Sequence, residues 1–249
     1  MAQLMRTSNP VLDEKLFRGY ALRGEGMTIQ GTVNKTGLLL LCAMATAAWT
    51  WHLAIQAESA AAALPWLWIG TIGGFVCALI TTFKKEWAGV TAPAYALLEG
   101  LALGGLSAIF ETRYPGIGIQ AVSLTFGTLL VLLVAYRSGL IPVTQKFRMG
   151  IVAATGAVML FYVLQFVLGI FGVHFTAVNG AGPLGIGISL IIVGIAALNL
   201  VLDFDFIEQG ARMGAPKYME WYGAFGLMVT LVWLYLEILR LLTKLRGRD

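Results

Sequence analysis

VTAPAYALLEGLALGGLSAIF, residues 90–110, is an apolar run long enough to cross a bilayer, with Glu99 at its centre. A spanning helix needs about 20 residues of this character. An acid at the middle of such a helix costs roughly 2.5–3.5 kcal/mol on insertion scales, so its default reading is an ion or proton site. Other runs repeat the pattern. Asn199, Asp203 and Asp205 end one of them, and Glu237 lies near the end of the last.

The composition of the 249-residue chain agrees. It is 58% hydrophobic and 12% charged, with a mean hydropathy of +0.80, whereas a soluble domain has about a quarter of its residues charged. Seven spans are expected: Gly37 to Gln56, Ala61 to Phe83, Gly89 to Phe110, Gly116 to Tyr136, Gly150 to Phe171, Leu184 to Phe206, and Trp221 to Leu242. Turn residues such as Tyr114-Pro115-Gly116 and Gly214-Ala215-Pro216 separate them. Continuous apolar runs exclude a membrane β-barrel, whose strands alternate over about ten residues. The expected architecture is an all-α integral membrane bundle, with residues 35–249 as the transmembrane domain and 1–34 as a polar segment. Within that segment, residues 8–17 have the form of a capped amphipathic helix.

The basic residues cluster at span ends, where they set orientation, so the formal charge of +4 does not indicate a nucleic-acid partner. With the N-terminus in the cytoplasm, twelve Lys and Arg fall inside and Arg113 alone lies in an outer loop. Seven crossings then place Arg240, Lys244, Arg246 and Arg248 outside, against the positive-inside rule. The first span directs insertion, since no cleavable signal peptide is visible. Cys42 and Cys77 lie in apolar segments and read as packing residues. His52 and His174 fall at outer span ends, too far apart to suggest a metal site. Neither G-x-S-x-G nor H-E-x-x-H occurs, and no enzyme signature is present.

Small residues mark close helix contact. Gly100 and Gly104 form a GxxxG on the third span, and Gly185, Gly187 and Gly194 are expected to act similarly on the sixth. Depth sorts the acids. Counting from a turn near Met213, Asp205 and Glu220 are almost equidistant, so Asp203, Asp205, Glu208 and Glu220 are expected to gather at the cytoplasmic mouth. Asn199 and Asp203 share one helix face and Asp205 with Glu208 the other. Glu237 lies too far toward the outer side to meet Asp205, and Arg240 is within its reach.

LNLVLDFDF (198–206), EWYGAFGL (220–227) and LYLEILR (234–240) resemble the Bax inhibitor-1 family, as do Glu99-Gly100 and GTVNKT (31–36) of a bacterial branch. The resemblance implies a seven-helix bundle with the seventh helix enclosed by the other six. It also implies a pH-sensitive calcium leak whose sensor is a pair of aspartates on the sixth and seventh helices. Asp205 is the best match to the first aspartate. A gapless match of Ala224 to Arg240 puts Thr230 at the second, with Glu237 two turns further on, so Glu220 or Glu99 would supply the missing acid.

The expected function is therefore a proton-regulated cation leak in the bacterial inner membrane, without catalysis. Asp205 and Glu220 are candidate transient calcium ligands, and calcium would be cargo rather than cofactor. Some bacterial relatives associate with a membrane protease, so the alternative is an interaction protein with a membrane-protein partner. Oligomeric state is not encoded in any of these patterns. If all seven segments cross, a cysteine introduced beside Arg248 reacts with an impermeant thiol reagent in intact cells; protection until lysis indicates six crossings.

Overall fold

The computed structural model describes residues 26–173 and 176–247. Seven helices in it are long and apolar enough to cross a membrane. They are α1 (Ile29–Gln56), α2 (Leu64–Phe83), α3 (Ala88–Arg113), α4 (Ile117–Arg137), α5 (Gln145–Ile170), α6 (Pro183–Arg212) and α7 (Met219–Arg246). Short 3-10 turns at Ala60–Ala63 and Lys85–Trp87 lead into α2 and α3. The expected helix over residues 8–17, His174 and Arg248 lie outside the described residues.

Helix α1 begins before Gly37. Thr28 caps it, its hydroxyl accepting from the Gly31 amide at 2.9 Å. Gln30, Asn34 and Lys35 hide these first two turns from a hydropathy reading. The helices alternate in direction, so the chain enters at the end carrying Gly26 (the near end) and leaves at the far end. The near end is closed by one bridge between Gly26 and Pro216 and by the Met27 amide donating to the Ala215 carbonyl at 2.7 Å.

Helix α7 is the most enclosed element and α5 the least. On one side α7 meets α6 and α4 through Leu227, Leu231, Leu234 and Ile238 against Ala196, Leu200, Ile117 and Ala121. On the other it meets α1 and α3 through Ala224, Phe225, Met228 and Val232 against Leu39, Ala43 and Tyr95. Helices α2 and α5 flank this five-helix centre, α2 packed along α3 and α5 along α6.

Two modes of attachment hold the bundle. Helices α1, α2 and α3 interlock through glycine: Gly100 and Gly104 lie on the backbone of Ala43 and Ala47 of α1, and Gly70 lies on that of Leu98 and Ala102. This is the small-residue contact that lets backbones approach in lipid, where no hydrophobic force pulls helices together. The expectation for α6 is met at Gly185, which is buried, but Gly187 and Gly194 face open space.

These contacts separate two glycines of similar sequence setting. A Cβ at Gly104 would come within 2.7 Å of the Ala47 Cα, whereas one at Gly127 of α4 meets nothing within 4 Å. Gly104→Ala is expected to cost about 1–3 kcal/mol from overpacking, and Gly127→Ala to be neutral or to stabilise by about 0.5–1 kcal/mol. Thermal unfolding of the purified variants in detergent checks both signs.

Candidate functional site

The turn between α6 and α7 decides which acids meet. Helix α6 ends at Arg212 and α7 begins at Met219, so residues 213–218 form the connection. Asp205 therefore sits seven residues inside α6, while Glu220 is only one residue into α7. A pivot at Met213 overcounts depth along α7 by about the length of that connection. The acidic cluster expected at the mouth is accordingly divided, and each acid has its own partners.

Asp203 lies nine residues inside α6. Its carboxylate is next to the Thr230 side chain of α7, whose hydroxyl donates to the Gly226 carbonyl at 3.3 Å. The Oδ2 atom of Asp203 is buried and has no hydrogen-bond partner among the described residues. The position facing Thr230 across the α6–α7 seam is thus Asp203, where the family resemblance favours Asp205.

Asp205 points to α5. It forms an ion pair with Arg148 and accepts from Gln209 Nε2 at 2.8 Å, one turn along. Asn199 also faces α5, donating to Thr155 Oγ1 at 2.8 Å and to the Ile195 carbonyl at 2.8 Å. Glu208 turns away, bonded to Tyr136 of α4 and to Arg212.

Glu99 occupies mid-bundle on α3 as expected, and its carboxylate lies against Gly74 of α2. Glu220 is fully buried and acts at the near end. It accepts from the Thr28 amide at 2.9 Å and the Thr28 hydroxyl at 2.8 Å, and pairs with Lys35 and Lys217. A carboxylate at the N-terminus of α1 answers both its free amides and its dipole. Gly31 makes room for it, since a Cβ there would overlap the carboxylate. Asp205 and Glu220 are thus held by different basic partners. Among the described residues, no three His, Cys, Asp or Glu side chains converge as a metal site.

The far end holds residues that charge alone presents as a basic tail. Glu237 is buried and accepts from Tyr162 of α5 at 2.7 Å and from Arg240 at 3.2 Å. Lys244 is buried too, donating to the carbonyls of Val178 and Gly185 and to Ser189 Oγ at 2.8–3.1 Å. Arg246 donates to the Pro115 carbonyl and to Gln120. The spacing Glu237, Arg240, Lys244 places all three on one helical face, along which Glu237 and Lys244 are buried and Arg240 is exposed.

A family model described as Bax inhibitor 1 like matches residues 9–247, nearly the whole chain. The chain belongs to that family. No curated relative and no solved structure matches it significantly. Among the described residues of this Bax inhibitor 1 like bundle, Asp203 Oδ2 is the buried side-chain oxygen left without a hydrogen bond.

Glu220 has the different task of fixing the start of α1. Glu220→Gln removes the charge that answers two lysines and a helix terminus. A hydrogen bond to a charged group is worth about 1.5–3 kcal/mol, so the loss should fall in that range. Hydrogen exchange should show it locally, with the amides of residues 28–35 exchanging faster while those of α3 keep their protection.

Proposed function

We propose that the protein is a proton-regulated leak for cations, calcium among them, which passes along the seam between α6 and α7. Asp203 is the group that takes the ion or the proton, and the Asp205–Arg148 pair holds the conducting path shut. The observation that carries this reading is the buried, unpartnered Oδ2 of Asp203, beside Thr230 in a helix pair otherwise lined by satisfied groups. A single carboxylate with hydroxyls and carbonyls suits passage of calcium better than capture, since calcium takes six to eight oxygens when held. Glu99 supplies a second carboxylate on the other side of α7. The protein works without catalysis, in the bacterial inner membrane with its N-terminus in the cytoplasm.

The closure follows from charge. Asp205→Asn removes the anion that pairs with Arg148, so the path opens. It should raise calcium flux at neutral pH roughly fivefold, the equivalent of losing a partly exposed ion pair of about 1 kcal/mol. Asp203→Asn should lower flux at every pH. Purified protein in calcium-indicator liposomes gives both readings. If neither substitution changes flux, the role given to these two acids is refuted; if the protein shows no pH-dependent flux, a non-conducting partner of another membrane protein becomes the better reading.

A further inference from the structure

Helix α5 is attached unlike any other in the bundle. Its only substantial backbone interface among the described residues is with α6, and its buried residues are Ile151 and Val158. Between and beyond these come Arg148, Thr155 and Tyr162, spaced by seven. Together the five residues form a narrow seam, 148, 151, 155, 158, 162, with the alternating three-and-four spacing of a coiled-coil contact.

Each of the three polar seam residues meets a polar partner. At the near end Arg148 pairs with Asp205. At mid-depth Thr155 accepts from Asn199 at 2.8 Å. At the far end Tyr162 donates to Glu237 at 2.7 Å and accepts from Arg240. Apart from Gln145 and Lys146 at its start and Gln165, which donates to Asn179 at 3.5 Å, most of the remaining surface of α5 is apolar and exposed, as at Met159, Leu160, Val163 and Phe166. Its glycines Gly150 and Gly156 have open space where a Cβ would stand.

That combination matters in a bilayer. Apolar side chains lose nothing by trading a helix for lipid tails, so packing and polar contacts hold helices together there, at about 0.6 kcal/mol on average for one interhelical hydrogen bond. The α1–α3 contact is backbone on backbone and rigid. The α5 seam has two apolar residues and three small polar ties. Glycines with left-handed backbone stand in the segments on either side of α5: Gly139, two residues past α4 and six before α5, with φ of 73°, and Gly172, two residues past α5, with φ of 78°. Neither is crowded. Such positions absorb the dihedral change of a hinge.

We propose that α5 is a lateral gate, swinging away from α6 and α7 about Gly139 and Gly172 when its three polar ties release. The moving helix uncovers the side of α6 that carries Asn199 and Asp205, next to the seam that holds Asp203. This deepens the leak reading, and only its flux arm rests on it.

Two experiments on the full-length protein in bilayers test the gate, with Cys42 and Cys77 replaced by alanine. In the first, spin labels at Leu160 of α5 and Val76 of α2 report the distance across the bundle. Arg148→Leu with Tyr162→Phe should lengthen or broaden it by about one helical turn, roughly 5 Å. A label pair at Leu41 and Phe75, within the α1–α3 block, should stay unchanged and so certify the fold. An unaltered Leu160–Val76 distance overturns the gate. In the second, Thr155→Cys and Asn199→Cys are bridged by a short bifunctional thiol reagent. Bridging should cut calcium flux at least tenfold relative to the unbridged protein, while a bridged Thr81→Cys/Thr91→Cys pair between α2 and α3 leaves it intact. Equal flux with and without the α5 bridge overturns the gate, even where the first variants fail to fold. A protein that never conducts, yet shows the longer spin-label distance, refutes the leak and keeps the gate.

Discussion

Inside a hydrocarbon layer no water answers a polar side chain, so each polar group on an enclosed helix must be met by a neighbour. Helix α7 carries this constraint for the whole bundle. Glu220 is met by Thr28 and Lys35 of the α1 start, and Tyr235 by Ser107 of α3 at 2.6 Å, while Thr230 bonds to its own helix at Gly226. Glu237 is met by Tyr162 of α5, Lys244 by Gly185 and Ser189 of α6, and Arg246 by Gln120 of α4. Five helices are thereby positioned against α7 in both height and rotation. Greasy packing alone would fix neither, because a leucine is as well solvated by lipid as by another leucine.

The sixth neighbour, α2, is placed indirectly. It lies on α3 through Gly70 and Gly74, and α3 in turn lies on α1 through Gly100 and Gly104. The far ends of α1 and α2 are joined again by Trp49 and Trp66, whose rings meet edge to face at 4.7 Å. One half of the bundle is consequently a set of close backbone contacts that cannot slide without steric clash. The other half, around α5, is joined by side-chain ends that can separate singly. The difference lies in which residues face inward: glycine and alanine on one side, Arg148, Thr155 and Tyr162 on the other.

Much of this is legible in the sequence, and what is not follows a physical pattern. Hydropathy locates all seven helices, because span length is a property of each segment alone. The GxxxG on α3 packs within the chain, as its small residues imply. Glu237 stands apart from Asp205 and joins Arg240, as counting along α7 predicts, since an i,i+3 relation needs no tertiary information. Rotation and turn length are harder. Six residues between α6 and α7, with Gly214 at a φ of 66° and Pro216 bridged to Gly26, shift α7 along its axis relative to any count from Met213. The shift brings Thr230 beside Asp203 and leaves Asp205 free to face α5. The identity of α5 as the partner of Asp205 depends on which helices are adjacent, and no local pattern encodes adjacency. The basic end of α7 is opaque for a related reason. Lys244 looks like a solvated tail until the neighbouring carbonyls of Val178 and Gly185 are in place.

Against this background of answered groups, Asp203 Oδ2 is the exception. A buried acceptor left without a partner costs about 1–3 kcal/mol, and more when charged. An apolar side chain of similar size at 203 would remove that cost and leave only the Thr230 hydroxyl, which already bonds to its own helix at Gly226. Stability therefore offers no reason for a carboxylate here, in contrast to Glu220, Glu237 and Asp205, each of which ties two helices together or anchors a helix end. A group whose removal would relieve the fold is the one on which the proposed leak rests. In the proposed gate, the three ties of α5 keep that helix over the side of α6 that carries Asn199 and Asp205, with polar contact enough to close it and too little backbone contact to make closure permanent.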